Sequence, residues 1–415
     1  MTVTLFGCIW LLIMFWCFFS KKSQTLITLT LISMIFQCTN VIEINNQGIG
    51  PQLFTSIAFI IRSYFVKSTL SVKQNYTHLF SSILFFIFYL SINSLYYNSL
   101  QNNILNILQL LIYIYCAIRL NKFRNLINEK ILTNQFLFIV KFMVYFSPIQ
   151  FLATKGFISR DLLVPLFFND MGENVYFHNP EAYQRLLGTF LEPSFCAPFL
   201  VGSFFFLFHI REKIKNVKIL LSLIIVELIM TTSSTGYVIF IIMFLVYTLV
   251  FGNKKNFKFI IPTCIIFIIF FYLTKDNLLQ EVLFNKMESD SGKYRAQQDL
   301  TAISLFLNNP IIGSGIGTSR ASSMITTLLA EMGIIGITIY FICSFISVYP
   351  LLKKKLYTQL ELSSRLFILS IILSQMLAIP DLQYCVYWFS IYLIALSKCP
   401  PNYIITKFNS KNILK

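Results

Sequence analysis

Long apolar stretches recur along the whole chain, and they constrain its fold more than any other feature. A membrane core of about 30 Å is crossed by a helix of roughly 20 apolar residues, or somewhat fewer where the bilayer thins. The pattern predicts an all-α, polytopic bundle of about 11–14 transmembrane helices. The thirteen candidate ranges are Leu5–Ser20, Thr25–Cys38, Gln52–Lys67, His78–Tyr96, Asn103–Ile118, Ile131–Phe151, Leu187–Ile210, Ile219–Met230, Thr235–Phe251, Phe259–Thr274, Ser323–Val348, Leu366–Ile379 and Gln383–Ser397.

Composition excludes the soluble classes of protein. Of the 415 residues, 56% are hydrophobic and 12% are charged, whereas soluble domains carry about 25% charged residues. The 44 phenylalanines also exclude intrinsic disorder, because disordered chains are poor in aromatic residues. The nine cysteines form no Cys-x-x-Cys pair, so we interpret them as packing residues and expect neither a metal site nor a cofactor.

The connections between the predicted helices differ in charge. The odd-numbered connections and the C-terminal tail hold 23 of the 33 basic residues and only three acidic residues. Because cytoplasmic loops are enriched in Lys and Arg, we expect the N-terminus outside and the C-terminus in the cytoplasm. The net charge of +16 is then an orientation signal, and we expect no nucleic-acid partner.

Two connections on the predicted outer side are long, Leu152–Arg185 and Lys275–Ala321. Long ordered loops tend to carry function. The outer side has no ATP and no nucleotide-sugars, so chemistry there must use an energy source already across the membrane. Consistent with this, the sequence has no phosphate-binding Gly-x-x-x-x-Gly-Lys-Ser/Thr motif. The expected organisation is N-terminal transmembrane helices (1–151), a first extracytoplasmic loop (152–186), central transmembrane helices (187–274), a second loop (275–322), and C-terminal helices with a cytoplasmic tail (323–415).

The densest group of candidate residues lies where the first long loop enters the predicted Leu187–Ile210 helix. Arg185 is expected at the helix N-terminus, where its planar fork suits a phosphate group. Glu192 follows seven residues later, so a helix would place it on the same face, and Pro193 would kink that helix. A carboxylate inside a span indicates function. The alternative is a simple interfacial ion pair between Arg185 and Glu192.

The second long loop contains a further set of candidates, which are Arg295, Gly313, Gly315, Gly317 and Arg320. The backbone N–H groups of the three glycines could form an anion-binding nest. A plain glycine turn explains the same pattern equally well. Arg320 is either another phosphate contact or a solvated side chain.

Two polar breaks adjoin the later helices. Glu331 lies in the outer third of its span and is expected to face a polar cavity. The neighbouring Gly333 and Gly336 favour close helix packing. The sequence from Thr231 to Gly236 predicts a tight outer turn between two helices.

Three more charges fall inside predicted spans: Arg62, Lys141 and Glu227. Each requires a partner or a water-filled cavity. A cationic cavity within the membrane would suit a lipid pyrophosphate, and Arg62 is therefore a candidate substrate-binding residue. Structural ion pairing is the alternative for Lys141 and Glu227.

Four motifs, taken in order, resemble those of the O-antigen polymerase and O-antigen ligase superfamily of bacterial membrane glycosyltransferases. The resemblance covers Leu152–Gly336, and the first part of the chain agrees only in hydropathy. The matching residues are Arg185-x-x-Gly188 followed by Glu192-Pro193-Ser194; Thr232-Ser233-Ser234-Thr-Gly236; Arg295 followed by Asn309-Pro310-Ile-Ile-Gly313-Ser-Gly315-Ile-Gly317; and Leu329-Ala-Glu331-Met-Gly333-Ile-Ile-Gly336.

The resemblance implies a GT-C-like, metal-independent enzyme of the bacterial inner membrane that polymerises undecaprenyl-pyrophosphate-linked repeat units into O-antigen or capsule. Arg185 and Arg295 would stabilise the leaving pyrophosphate, and Glu192 would orient or deprotonate the acceptor hydroxyl. Arg62, Arg320, Glu331 and the three glycines would bind substrate. The implied partners are lipid-linked glycans, membrane lipids and a chain-length regulator protein.

Two departures from the family favour a polymerase over a ligase. Ligases usually carry a His-Asn pair about nine residues before the glutamate, where this chain has Ala321-Ser322-Ser323. The Ser-Arg of the ligase helix break is Ser233-Ser234 here. Ligase-type glycan transfer remains one alternative, and a lipid-linked oligosaccharide flippase or other transporter is another.

Overall fold

The computed structural model describes residues 2–44, 47–66, 77–97, 99–124, 127–169, 185–252, 290–353 and 357–397. Within these ranges the protein is a bundle of fourteen α-helices with one small sheet. The helices are α1 (Leu5–Phe19), α2 (Ser23–Ser33), α3 (Pro51–Phe65), α4 (Thr77–Tyr96), α5 (Leu100–Phe123), α6 (Glu129–Thr154), α7 (Arg160–Phe167), α8 (Pro193–His209), α9 (Val217–Met230), α10 (Ser234–Phe251), α11 (Asp290–Asn308), α12 (Met324–Val348), α13 (Gln359–Leu377) and α14 (Cys385–Leu396).

The predicted helical spans agree with this architecture. Twelve of the thirteen coincide with helices, and the tenth, Phe259–Thr274, lies outside the described residues. Across the described ranges, six helices are long and apolar enough to cross a bilayer, and four shorter apolar helices accompany them. The chain is a multi-pass membrane protein, because so much apolar helical surface requires a hydrocarbon environment.

The connections gather at two ends of the bundle. We define the site end by Asn40, Gln52, Asn103 and Gly317, which line a common cavity. The opposite, basic end is the end at which Arg119 Nε donates to Ser63 Oγ at 2.7 Å. Basic residues in the described connections there, or in the adjoining helix ends, include Lys21, Lys22, Lys130, Arg211, Lys213, Lys215, Lys218 and Lys353. The alternation of charge along the sequence therefore corresponds to two physical ends.

Three helices form the centre of the bundle. Helices α8 and α14 are buried on nearly all sides, and α8 packs along α13. An apolar surface all round a helix is typical of such a central position. A Cβ atom at Gly202 would lie 2.6 Å from Ser370 Oγ. Small residues at this contact therefore allow α8 and α13 to approach closely.

A small antiparallel sheet lies at the site end. It consists of β1 (Thr2–Val3), β2 (Ile42–Ile44) and β3 (Gln47–Ile49), with Val3 opposite Ile42. Thr4 caps α1 and donates from its hydroxyl to the carbonyl of Asn40 at 2.6 Å. The all-α prediction missed this sheet, because strands of two or three residues produce no alternating pattern.

The two long segments that the sequence predicted to be outer loops contain helices. Helix α7 lies in the first, and the 19-residue helix α11 lies in the second and packs against α12. The sequence of α11 mixes charged and apolar residues, so hydropathy gives no signal for it.

One ion pair, which precedes the predicted Leu366–Ile379 span in the sequence, is buried inside the bundle. Helix α13 begins at Gln359, and Arg365 Nη2 lies 3.3 Å from Glu361 Oε1 with both side chains almost fully buried. Arg365 Nη1 also donates to the carbonyl of Ser347 at 2.7 Å. Mutual neutralisation and hydrogen bonding allow both groups to leave water.

Candidate functional site

The segment before α8 is not helical, which corrects the predicted helix start at Leu187. Residues 185–192 form irregular backbone with a turn at Gly188 and Thr189, and Gly188 has a φ of +60°. Glu192 is the N-cap of α8 and Pro193 its first residue. Proline suits that position because N–H groups in the first turn of a helix have no acceptor within the helix, so no hydrogen bond is lost. Arg185 and Glu192 therefore do not share a helix face, and Pro193 does not kink the helix.

Arg185 holds the turn between α9 and α10. Its Nε atom donates to the carbonyl of Thr231 at 3.0 Å and to Thr232 Oγ1 at 2.6 Å. Its Nη2 atom donates to the carbonyl of Thr232 at 2.5 Å. Thr232 has a left-handed φ of +45°. The predicted tight turn is confirmed, and the guanidinium stabilises it.

The irregular segment 185–192 is held in place by hydrogen bonds from two sides. The side-chain carbonyl of Gln150, near the end of α6, accepts hydrogen bonds from the N–H groups of Leu187 at 3.0 Å and Gly188 at 3.1 Å. The carbonyl of Thr189 accepts from the N–H groups of Gln37 and Cys38 after α2. These contacts set the path of the chain leading to Glu192.

Glu192 and Arg295 form an ion pair that joins the N-terminus of α8 to α11. Arg295 Nη2 lies 3.9 Å from Glu192 Oε2, and the side chains are 37% and 35% exposed. The hydroxyl of Ser194 donates to the same carboxylate oxygen at 2.8 Å. So long and exposed a pair contributes little to stability. It leaves both charged groups accessible to a ligand.

Helix α12 is broken at Gly333, and residues 310–317 pack against the break. Gly333 has φ and ψ of 63° and −162°, outside the helical region. The N–H of Ile334 donates to the carbonyl of Pro310 at 2.9 Å, and the N–H of Gly315 donates to the carbonyl of Glu331 at 3.0 Å. Irregular backbone at membrane depth requires partners of this kind.

Two glycines make this close approach sterically feasible. A Cβ at Gly313 would lie 2.3 Å from the carbonyl carbon of Glu331, and one at Gly333 would lie 2.3 Å from the carbonyl oxygen of Ile311. Both residues also have positive φ angles. Gly333 therefore allows both the break in α12 and the contact with residues 310–317. Neither was predicted from the sequence.

Residues 310–317, which we call the glycine loop, bind a carboxylate of the protein itself. The N–H of Gly317 donates to Glu331 Oε1 at 2.8 Å, and Glu331 is 8% exposed. The N–H groups of Gly313 and Gly315 are occupied by the carbonyls of Asn309 and Glu331. The backbone donors predicted to bind a phosphate thus have partners within the chain.

Helices α4 and α5 hold the glycine loop in place, a role that the sequence analysis missed. Asn93 Nδ2 donates to the carbonyl of Ile312 at 2.8 Å, and Asn103 Nδ2 donates to that of Ile316 at 3.0 Å. The hydroxyl of Tyr97 donates to the carbonyl of Gly313. Carboxamides within apolar helices were the available signal, because buried polar groups require partners.

A cavity of about 530 Å³ opens beside this loop at the site end. Glu331 faces it, as the sequence predicts, and Arg320 lies in its wall paired with Asp381 at 3.1 Å. Leu191, the neighbour of Glu192, also lines it. Most of the remaining polar lining consists of carboxamides, namely Gln37, Asn40, Gln52, Asn103, Asn106, Gln109 and Gln383.

This lining suits a hydroxyl-rich ligand. Each carboxamide can both donate and accept hydrogen bonds, as a sugar hydroxyl does. The charged groups lining the cavity are Glu331, Asp381 and Arg320 among the described residues. The cavity is therefore polar but not strongly cationic. Arg295 does not line it and is paired with Glu192, which follows the lining residue Leu191.

The other predicted charges do not join this group. Arg62 lies about 15 Å along α3 from Gln52, where its Nη2 donates to the carbonyl of Ser20 at 3.1 Å. Glu227 is buried in α9, and neither carboxylate oxygen has a hydrogen-bond partner among the described residues. Lys141 is exposed on α6. Structural ion pairing, the alternative considered for Lys141 and for Glu227, is not observed for either residue within the described ranges.

The described residues contain no group of three or more His, Cys, Asp or Glu side chains that could hold a metal ion. In comparisons with known proteins, no family model and no curated sequence matches the chain.

Proposed function

We propose that the protein is a membrane glycosyltransferase that polymerises undecaprenyl-pyrophosphate-linked repeat units at the outer face of a bacterial inner membrane. The observation that carries the proposal is the carboxamide-lined cavity. It is lined by Glu331 and by Leu191, the residue before Glu192 of the Glu192–Arg295 pair. Ligase-type transfer would use the same donor and differ in the acceptor.

The cavity supports binding of a glycan within an apolar protein. Its carboxamides, such as Gln52 and Asn106, match sugar hydroxyls as hydrogen-bonding partners. Apolar helix surfaces around it suit the polyprenyl chain of a lipid-linked substrate. Both substrates would be membrane-anchored, so positioning supplies much of the catalysis.

The Glu192–Arg295 pair supports the proposed chemistry. When the diphosphate of the donor binds Arg295, the carboxylate of Glu192 loses its partner and becomes able to accept the proton of the acceptor hydroxyl. The acceptor oxygen forms a bond to the anomeric carbon as the bond from that carbon to the diphosphate oxygen breaks. Arg295 stabilises the negative charge on the leaving diphosphate. The proton passes from Glu192 to solvent.

Arg185 enters this proposal as a positioning residue. Its guanidinium is bonded to the turn at Thr231 and Thr232, seven residues before Glu192. By fixing the start of that segment, it would set where the carboxylate lies relative to the acceptor.

Reconstitution of the full chain into vesicles with a lipid-linked single repeat unit tests the proposal. We expect a ladder of longer lipid-linked glycans, which Glu192→Gln and Arg295→Ala reduce at least about a hundredfold, the usual contribution of one acid–base or charge-stabilising group. Lys293→Ala, an exposed position on the same helix as Arg295, is the matched control and should retain activity. Wild-type ladders in both site variants would contradict these roles.

A transporter is the second candidate, because broken helices at membrane depth are typical of transporters. The break in α12 at Gly333, adjacent to Glu331, favours this reading. The same vesicles distinguish the two functions. Movement of the lipid-linked unit between leaflets without formation of a glycosidic bond would indicate transport and contradict the transferase proposal.

A further inference from the structure

A second cavity, of about 700 Å³, lies between α6 and α9 near the basic end. It is remote from the carboxamide-lined cavity, which lies at the opposite end of the bundle. One part of its wall is cationic and polar, and the other part is apolar. The cationic residues lining it are Lys130, Lys141, Lys213 and Lys215.

The lysines come from two different elements. Lys130 and Lys141 are on α6, which lines the cavity with Lys130, Thr133, Asn134, Leu137, Lys141 and Tyr145. Spacings of three and four residues place these side chains on a single helix face. Lys213 and Lys215 lie on the connection that leads into α9. Glu129 is the one carboxylate in the described lining, so the wall carries an excess of positive charge.

Lys141 indicates how deep the charge extends. It lies about 18 Å along α6 from Glu129, on a helix of 26 residues that is long enough to span the bilayer. It is exposed, and no ion pair joins it to a carboxylate in the described part of the chain. Side chains on a helix lean toward its N-terminus, so the amine is directed back toward the basic end.

The apolar part of the wall is partly exposed on the surface of the bundle. Leu137, Tyr145, Ile219, Leu220 and Leu223 line it, and Tyr145 and Ile219 are 61% and 65% exposed. A small anion would fill only the cationic part. The whole cavity is complementary to an amphiphile with an anionic head and hydrocarbon chains.

We propose that this cavity binds one anionic phospholipid from the leaflet at the basic end, with its phosphate among Lys141, Lys213 and Lys215 and its acyl chains along α9. Basic pockets between transmembrane helices commonly hold such headgroups. The lipid fills the space between α6 and α9 and stabilises their packing. The site does not depend on the function proposed for the other end.

Native mass spectrometry of the full chain in mild detergent tests the site, with equal amounts of phosphatidylglycerol and phosphatidylethanolamine added. We expect the wild type to retain one phosphatidylglycerol in preference. Each lysine replaced in the series Lys141→Gln, Lys213→Gln and Lys215→Gln should weaken retention about fivefold. Lys21→Gln with Lys22→Gln, exposed lysines of the same end that do not line the cavity, is the matched control and should retain the lipid.

Thermal unfolding of the same samples confirms that each variant is folded and provides a second measurement. Phosphatidylglycerol should raise the unfolding temperature of the wild type more than that of the triple variant, whereas inorganic phosphate alone should raise neither. Equal lipid retention in the triple variant and the wild type would overturn the proposal. So would equal loss in the control, or an inorganic phosphate effect as large as that of the lipid.

Discussion

At the scale of single residues, two arginines of the site end have different kinds of partner. Arg185 donates to backbone carbonyls and a hydroxyl of one turn, which cannot leave when a ligand arrives. Arg295 has a carboxylate at 3.9 Å, in a pair that solvent already reaches. The first arrangement stabilises structure and the second is suited to ligand exchange. The family resemblance implied the same role for both arginines.

Replacement of Arg185 separates a positioning role from direct phosphate binding. We expect Arg185→Ala to lower stability by about 1–3 kcal/mol, because buried carbonyls of the turn lose charged donors. Arg185→Lys should recover only part of this, since an ammonium group cannot reproduce the guanidinium fork. Thermal unfolding in detergent measures both variants, with Lys293→Ala as the control. Full stability combined with lost activity would instead favour direct contact with the diphosphate.

At the scale of elements, the break in α12 and the glycine loop form one unit. The loop supplies carbonyls to the freed N–H groups after Gly333, and α12 supplies carbonyls to the N–H groups of Ser314 and Gly315. Glu331 adds its carboxylate to the N–H of Gly317. Residues 310–317 therefore position the carboxylate that faces the cavity.

A pair of glycine substitutions tests this unit. Gly333→Ala places a Cβ 2.3 Å from the carbonyl of Ile311 at a φ of +63°, so we expect a loss of stability of more than about 3 kcal/mol. Gly156→Ala also has a positive φ, of +81°, and no atom within 4 Å, so it measures the cost of a positive φ without a close contact. That cost is about 1–2 kcal/mol. Comparable unfolding temperatures for the two variants would show that the close contact is not required.

At the scale of the whole molecule, α8, α13 and α14 form the centre of the bundle, and α9, α10 and α12 pack against α8 or α13. The pair Glu361–Arg365 is buried at the basic end of α13 and links it, through Ser347, to the end of α12. Buried ion pairs are costly to break because the remaining partner stays charged and desolvated. The central helices therefore contain buried charged residues that need ion-pair and hydrogen-bond partners within the bundle.

A double-substitution cycle tests the contribution of this pair. We expect Glu361→Leu to destabilise the protein by about 3–5 kcal/mol, since Arg365 is left without its carboxylate. Glu361→Leu combined with Arg365→Met should cost less than the sum of the two single changes. Unfolding temperatures of the wild type and three variants complete the cycle. Additive effects would mean that the two side chains do not interact energetically.

Much of the fold could be predicted from the sequence, but the candidate site only in part. Apolar runs located the helices, and Glu331 was correctly expected to face a polar cavity. The start of α8 was predicted at Leu187 but lies at Pro193, because apolar residues such as Leu187 continue into the irregular segment before the helix. Asn93, Asn103 and Asp381 were missed, since their role depends on partners far away in the chain.

The sequence by itself determined that the chain crosses a membrane repeatedly and that its connections divide into a basic end and a less basic end. Both properties depend on local composition, namely the length of apolar runs and the charges between them. Only the tertiary structure decided that Arg295 meets Glu192, that the glycine loop fills the break in α12, and that carboxamides converge on one cavity. These contacts join residues up to several hundred positions apart, and their geometry depends on helix packing, which no local pattern specifies.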